Sequence, residues 1–381
     1  MIKLTKFNRT FFRFLFVLGI TFLFCTPQSN RQVKNVIFFI GDGMGITHIT
    51  ATRIYLEGID HRFTIENMPV TGLVTTHSVD KLITDSAAGA TALATGFKTQ
   101  NGVIGLSPDS LILYSILEAA RDKGLATGLI ATSSITHATP AGFAAHVMSR
   151  QQEDVIASQL LDAQIPLIMG GGKSFFIPQQ DSLSRRKDEK NLITEAVSRG
   201  YQFVENKDQL PSDLKLPLLG LFAAEALSHQ STEPSLKEMT EKAIDLLSEN
   251  KKGFFLMVEG SQIDWAAHEN DFPYLIKEMT EFDEAVAAAL AFAEKDKHTL
   301  IVVTADHETG GLLITGGTKE GKDIKLKWGT TGHTGTPVPL FATGAQAHLF
   351  TGLKDNTQLP ILISQLLGIK NFPRKIQYSS R

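Results

Sequence analysis

Thr299-Leu-Ile-Val-Val-Thr-Ala-Asp306-His307 is the stretch that decides the fold. An unbroken apolar and β-branched run reads as a strand buried on both faces, the habit of a parallel sheet. It stops at a carboxylate and an imidazole, groups that are costly to bury unless paired or coordinated. The same grammar recurs where Val36-Ile-Phe-Phe-Ile40 leads to Asp42, and where Phe254-Phe-Leu-Met-Val258 leads to Glu259. Ligands of open α/β sheets bind beyond the carboxyl ends of strands, so Asp42, Glu259 and Asp306 are expected to converge on one edge.

Outward from these runs, further strands are expected near 125–132, 165–169 and 338–342, besides 35–40, 253–258 and 299–305. Between them, Ser110–Lys123, Gln151–Ala163, Lys190–Arg199, Ser235–Asn250 and Pro273–Glu294 carry apolar residues at helical spacing. Alternating strands and helices predict an α/β chain with a central, mainly parallel sheet covered on both faces. No repeat is visible, and the polar stretch near 178–190 is too short to act as a linker between separate domains. A single domain over 33–370, followed by a tail at 371–381, is the simpler reading.

Ligand-type residues recur beyond the strand ends. Asp264-Trp-Ala-Ala-His268 sets a carboxylate and an imidazole four apart, on one side of a helical turn, where they can share a metal. His333 lies in Gly332-His-Thr-Gly335. Singly these are surface pairs and turns; together they point to a multinuclear divalent-metal site. Thr84-Asp-Ser-Ala-Ala-Gly-Ala-Thr-Ala-Leu-Ala94 reads as a small-residue helix opening on Asp85 and Ser86. Its free N–H groups favour a phosphate or an alkoxide there, and beside a metal cluster Ser86 becomes a candidate nucleophile. Gly41-Asp-Gly-Met-Gly45 misplaces the third glycine of a dinucleotide fingerprint, and Gly170-Gly-Gly-Lys-Ser174 has Leu167 where a P-loop needs glycine.

Composition sets outer bounds. The 381 residues are 43% hydrophobic and 20% charged, with 37 basic against 40 acidic side chains and a net charge of −3, so there is no electrostatic footprint for nucleic acid. Lys3, Lys6, Arg9 and Arg13 precede the apolar run 14–24, a signal peptide over 1–25 by pattern and too short for a comfortable membrane span. The chain is therefore expected to be exported, either to a periplasm or held by lipid on the outer side of a bacterial membrane. The single cysteine, Cys25, would carry that lipid, although Phe24 before it is bulkier than such cleavage sites favour; an uncleaved anchor is the other reading.

Read together, Gly41–Gly45, Thr84–Ala87, His137-Ala-Thr-Pro140 with Ala145-His-Val-Met-Ser-Arg150, Val258–His268, Thr304–His307 and Gly332–Gly335 resemble the alkaline phosphatase family from about Asn35 to Gly352. The resemblance implies a three-layer α/β/α sandwich, two zinc ions and a magnesium, with the third site open to zinc instead. It implies one zinc on Asp264, His268 and His333, a second on Asp42, Asp306, His307 and the Ser86 oxygen, and the third ion on Asp42, Thr139 and Glu259. Ser86 would be the nucleophile, Arg150 the phosphate clamp and Asp85 its support. His137 stands where many members carry Asp, and Trp265 where many carry Lys, which puts magnesium preference and tight phosphate retention in doubt. The implied activity is broad phosphomonoester hydrolysis through a phosphoserine. The alternatives are a phosphodiesterase of the same superfamily and a non-catalytic exported phosphate- or metal-binding protein. A homodimer is implied as well, although the short segment between His307 and His333 leaves little room for the insertions some relatives place at that interface.

Overall fold

A computed structural model of the protein describes residues 31–210 and 213–377; the expected leader, with Cys25, and residues 378–381 lie outside them. Among the described residues ten strands form the main sheet: β1 (Asn35–Gly41), β2 (Val70–Thr75), β3 (Ala126–Ser134), β4 (Leu167–Gly171), β5 (Gln202–Val204), β6 (Leu218–Leu221), β7 (Phe254–Gly260), β8 (Thr299–Thr304), β9 (Val338–Gly344) and β10 (Gly352–Asp355), in the order β10-β2-β9-β8-β1-β7-β3-β4-β6-β5. All pairings are parallel except those of β9, which is antiparallel to both β8 and β2.

β1, β7 and β8 are buried at every position because helices cover both faces. Successive side chains of β1 show this directly, Phe38 meeting the Phe143 ring on one face and Phe39 meeting Phe282 on the other. The helices are α1 (Ile46–Glu57), α2 (Ser86–Thr95), α3 (Ile116–Asp122), α4 (Ala138–Ala141), α5 (Glu153–Asp162), α6 (Leu192–Ser198), α7 (Leu236–Leu247), α8 (Gln262–His268), α9 (Phe272–Asp296) and α10 (Gln358–Leu366). The longest, α9, opens on Asp271, which caps the Tyr274 N–H, and has Pro273 in its first turn, where no amide partner is lost. Among the described residues no helix is long and apolar enough to cross a membrane.

The expected helix over 110–123 is shorter than its periodicity. Ser115 and Glu118 form a reciprocal capping box that starts α3 at Ile116. Ile112–Leu113 pair instead with Lys375–Ile376, so a stretch of the expected tail folds back onto the body. The expectations omitted β2, β5, β6 and β10, which lie toward the sheet margins.

Candidate metal centre and nucleophile

Strand register builds the centre. Ile40 of β1 lies beside Glu259 of β7 and Thr304 of β8, so Asp42, Glu259 and Asp306 emerge together at the carboxyl edge, as expected. All three are fully buried. Burial, and after it the charge of neighbouring carboxylates, raises Asp42 well above the usual range, Asp306 to about 6 and Glu259 to about 8. Both oxygens of Asp42, both of Glu259, Oδ2 of Asp306, Oγ1 of Thr139 and Nδ1 of His137 are buried without a hydrogen-bond partner. Five unpartnered carboxylate oxygens gathered at one edge fit a cation and very little else.

Three groups result. Asp264 and His268 project from one turn of α8, and His333 joins them from a ribbon in which Glu308–Thr309 pairs with His333–Thr334. His268 Nδ1 faces the Thr331 carbonyl and His333 Nδ1 faces the Thr84 carbonyl at 2.9 Å, so both Nδ1 atoms are donors. Their Nε2 atoms then meet 3.1 Å apart, 3.3 Å and 3.6 Å from the Asp264 oxygens. Burial raises Asp264, but the His268 hydrogen bond and the charge of His307 outweigh it and hold this carboxylate low; His268, hydrogen-bonded to Asp264, is pushed up to about 9.

The second group is Asp42, Asp306 and His307. His307 Nε2 stands 3.2 Å from Ser86 Oγ, 3.2 Å from Asp306 Oδ2 and 3.4 Å from Asp42 Oδ1. Burial lowers this imidazole to about 4, so it is neutral and offers a lone pair. The third group is Asp42, Glu259 and His137, with buried Thr139 two residues beyond His137 at the start of α4. Asp42 thus belongs to two groups.

Ser86 is the first residue of α2, whose cap is Asp85 accepting the Ala88 amide at 3.0 Å. Gly89 of this helix packs closely on the strand end that carries Asp306, where a Cβ would stand 3.1 Å from the Asp306 carbonyl oxygen. Arg150, in the turn before α5, donates to Asp85 Oδ2 at 3.4 Å and to His137 Nε2 at 2.9 Å. It is half-buried at the centre. Burial, then the charge of Arg150, lowers His137 to about 3, so its ring accepts that bond. Trp265 meets His137 edge-on, with ring centroids 6.1 Å apart.

Two functional residues escaped sequence reasoning. Buried Thr309 donates to Asp264 Oδ1 and accepts from His307 Nδ1 at 3.2 Å, tying two groups together. Strand alternation would have found it, since it lies two residues beyond His307 and on the same side. Gly43, at φ +69°, allows the close approach beneath it: a Cβ there would stand 2.7 Å from both Asp264 Oδ1 and Thr309 Oγ1.

The likeness to known proteins runs along the whole described body. The alkaline phosphatase family profile matches residues 33–325. Alkaline phosphatase 4 of Bacillus subtilis is 39% identical over 423 aligned positions, covering 89% of this chain and 90% of the relative. The alkaline phosphatase of Escherichia coli is 35% identical over 414, covering 90% and 88%. The structure of alkaline phosphatase from the Antarctic bacterium TAB5 superposes with a TM-score of 0.82 at 35% identity, over 90% of this chain and all of that one. A variant of that enzyme holds magnesium in its M3 site. The enzyme from Thermus thermophilus gives 0.83 at 25% identity, over 90% and 93%. With profile, sequence and fold agreeing over nearly the same span, the chain belongs to the alkaline phosphatase family.

Proposed function

We propose that this protein is an exported, divalent-metal-dependent phosphomonoesterase of broad specificity, acting through a phosphoserine on Ser86. The observation that carries this reading is the meeting of buried, unpartnered acceptors from three strand ends with a helix-N-terminal hydroxyl, 3.2 Å from His307. Asp264, His268 and His333 would hold one zinc; Asp42, Asp306, His307 and the Ser86 oxygen a second; Asp42, Thr139 and Glu259 a magnesium, with His137 near enough to admit zinc there instead. Ions so held would lower the pKa of the serine hydroxyl and of a water, and neutralise the departing oxygen.

Ser86 Oγ gives up its proton to solvent and attacks phosphorus as the bond to the leaving oxygen breaks, and that oxygen takes a proton from solvent and departs as the alcohol. A water, losing a proton to solvent, then attacks the phosphoserine from the opposite side, breaking the Oγ–P bond, so that Ser86 Oγ regains a proton and inorganic phosphate is released. Arg150, steadied by Asp85 and His137, donates to two non-bridging oxygens through both steps. The Asp85-capped start of α2 adds its free amides to the same negative charge. Trp265 supplies no cation where many relatives carry lysine, which favours faster phosphate release. The leader over 1–25, with Cys25 at its end, the catalytic domain over 33–370 and a homodimeric state belong to the same proposal.

The test is hydrolysis of a chromogenic phosphate monoester beside the matching diester, by mature protein before and after metal stripping, with zinc and magnesium restored. Metal-restored monoesterase activity supports the reading. A preference for the diester contradicts it, and metal binding without turnover would make the protein a binder.

A further inference from the structure

The loop before the nucleophile carries an apolar face that nothing in the reaction at phosphorus uses. Val79, Leu82 and Ile83 are 46%, 87% and 43% exposed. The loop is held at several points: Val79 N–H donates to the Thr99 carbonyl at 3.0 Å, and Lys98 Nζ to the His77 carbonyl at 2.7 Å. Asn101 clamps it with both ends of its amide, accepting from Asp85 N–H at 3.2 Å and donating to the Ile83 carbonyl at 3.1 Å. The apolar side chains are therefore displayed on a fixed backbone. One residue further on, the Thr84 carbonyl holds His333, and the Leu82 carbonyl lies against Gly335. The loop thus borders the Asp264, His268 and His333 group through His333, the group beside which the ester oxygen would depart in the proposed reaction.

Single exposed apolar residues are ordinary, whereas several within five residues, fixed beside a reaction centre, make a patch with a use. We propose that Leu82 and Ile83 form a subsite for the alcohol portion of the substrate, so that phosphate esters of apolar alcohols are turned over in preference to those of small polar ones. This rests on the phosphomonoesterase reading and names the portion of the substrate which the metal groups and Arg150 leave unread. The contact is made with the leaving group alone, so it acts on kcat/KM of the ester and not on the binding of inorganic phosphate.

The experiment compares n-alkyl phosphates from methyl to hexyl, whose leaving groups beyond methyl differ little in acidity, on the wild-type protein, Leu82→Ser and Leu82→Ser/Ile83→Thr. For a half-buried chain the wild-type kcat/KM is expected to rise about twofold per added methylene until the patch is covered. The single variant should reduce that slope and the double variant should flatten it, while inhibition by inorganic phosphate stays at the wild-type level in both. A flat wild-type series, or variants that keep the wild-type slope, would overturn the proposal while methyl phosphate turnover still upholds the phosphatase reading. Variants that keep the slope but sediment as a smaller species would assign the patch to contact between copies of this chain, which also overturns it. No turnover of any ester in the series would remove the phosphomonoesterase reading and this proposal with it.

Discussion

Thr309→Val tests whether the metal groups are positioned by the residue that links them. Valine keeps the shape and β-branching of threonine, so the pairing of residue 309 with His333 is preserved. What is lost is a hydroxyl that donates to the Asp264 carboxylate and accepts the His307 Nδ1 proton at 3.2 Å. Thr309 is fully buried, so water has no route to replace it. A hydrogen bond to a charged group contributes about 1.5–3 kcal/mol, which corresponds to about tenfold to a hundredfold in an equilibrium constant. The same range, about 10–100-fold in metal affinity, is typical for groups that orient metal ligands from behind. Zinc affinity measured by chelator competition should therefore fall by that factor, kcat/KM should fall at limiting zinc, and Thr309→Ser should restore both. A valine variant that binds zinc as tightly as the wild type would rule out this linking role.

Arg150→Ala should weaken inhibition by inorganic phosphate at least tenfold, the worth of about 1.5–3 kcal/mol in charge-assisted bonds, and unchanged inhibition would count against the clamp. Trp265→Lys should tighten phosphate inhibition and slow turnover, both read in steady-state assays, because it adds a cation beside the site; looser inhibition would argue against tryptophan as the cause of faster product release. Stability should also depend on pH through His229, whose ring nitrogens lie 2.6 Å from Glu278 and 2.9 Å from Glu281 on α9. These hydrogen bonds raise it from 6.5 to about 9, so its contribution is complete below pH 6.5 and is lost as pH rises through 9. The Tm difference between wild type and His229→Asn should shrink from pH 6 to pH 10, and a constant difference would be evidence against such linkage.

The elements of the fold that position the centre were legible because they are the ones that water cannot reach. β1, β7 and β8 are buried on both faces, so their sequences are unbroken apolar runs, and the polar residue ending each run stands out. Asp264 and His268 were legible for a different reason, their spacing of one helical turn. β10, with the sequence Gly-Leu-Lys-Asp and largely exposed, has no such contrast and was missed. Nor could periodicity show that the chain folds back to pair Lys375–Ile376 with Ile112–Leu113, a contact between segments far apart in sequence. At the site, ligand-type residues were visible, whereas alternation from His307 gives only the side on which Thr309 lies, and its hydrogen bond to Asp264 and the close approach that Gly43 permits show only in the folded chain. The pairing of Arg150 with His137 is of the same kind: neither residue was informative alone, and the loop before α5 brings them together.

The proposed chemistry stands or falls on whether Ser86 is phosphorylated during turnover. This is read by an acid quench of the metal-loaded protein at saturating labelled monoester, with the labelled peptide mapped, beside the same experiment and steady-state assay on Ser86→Ala. Label is expected on the peptide containing Ser86 and not on the variant, together with a variant turnover reduced by several orders of magnitude. Label on a different residue, or a Ser86→Ala protein that hydrolyses the ester at the wild-type rate, would be incompatible with Ser86 as the nucleophile.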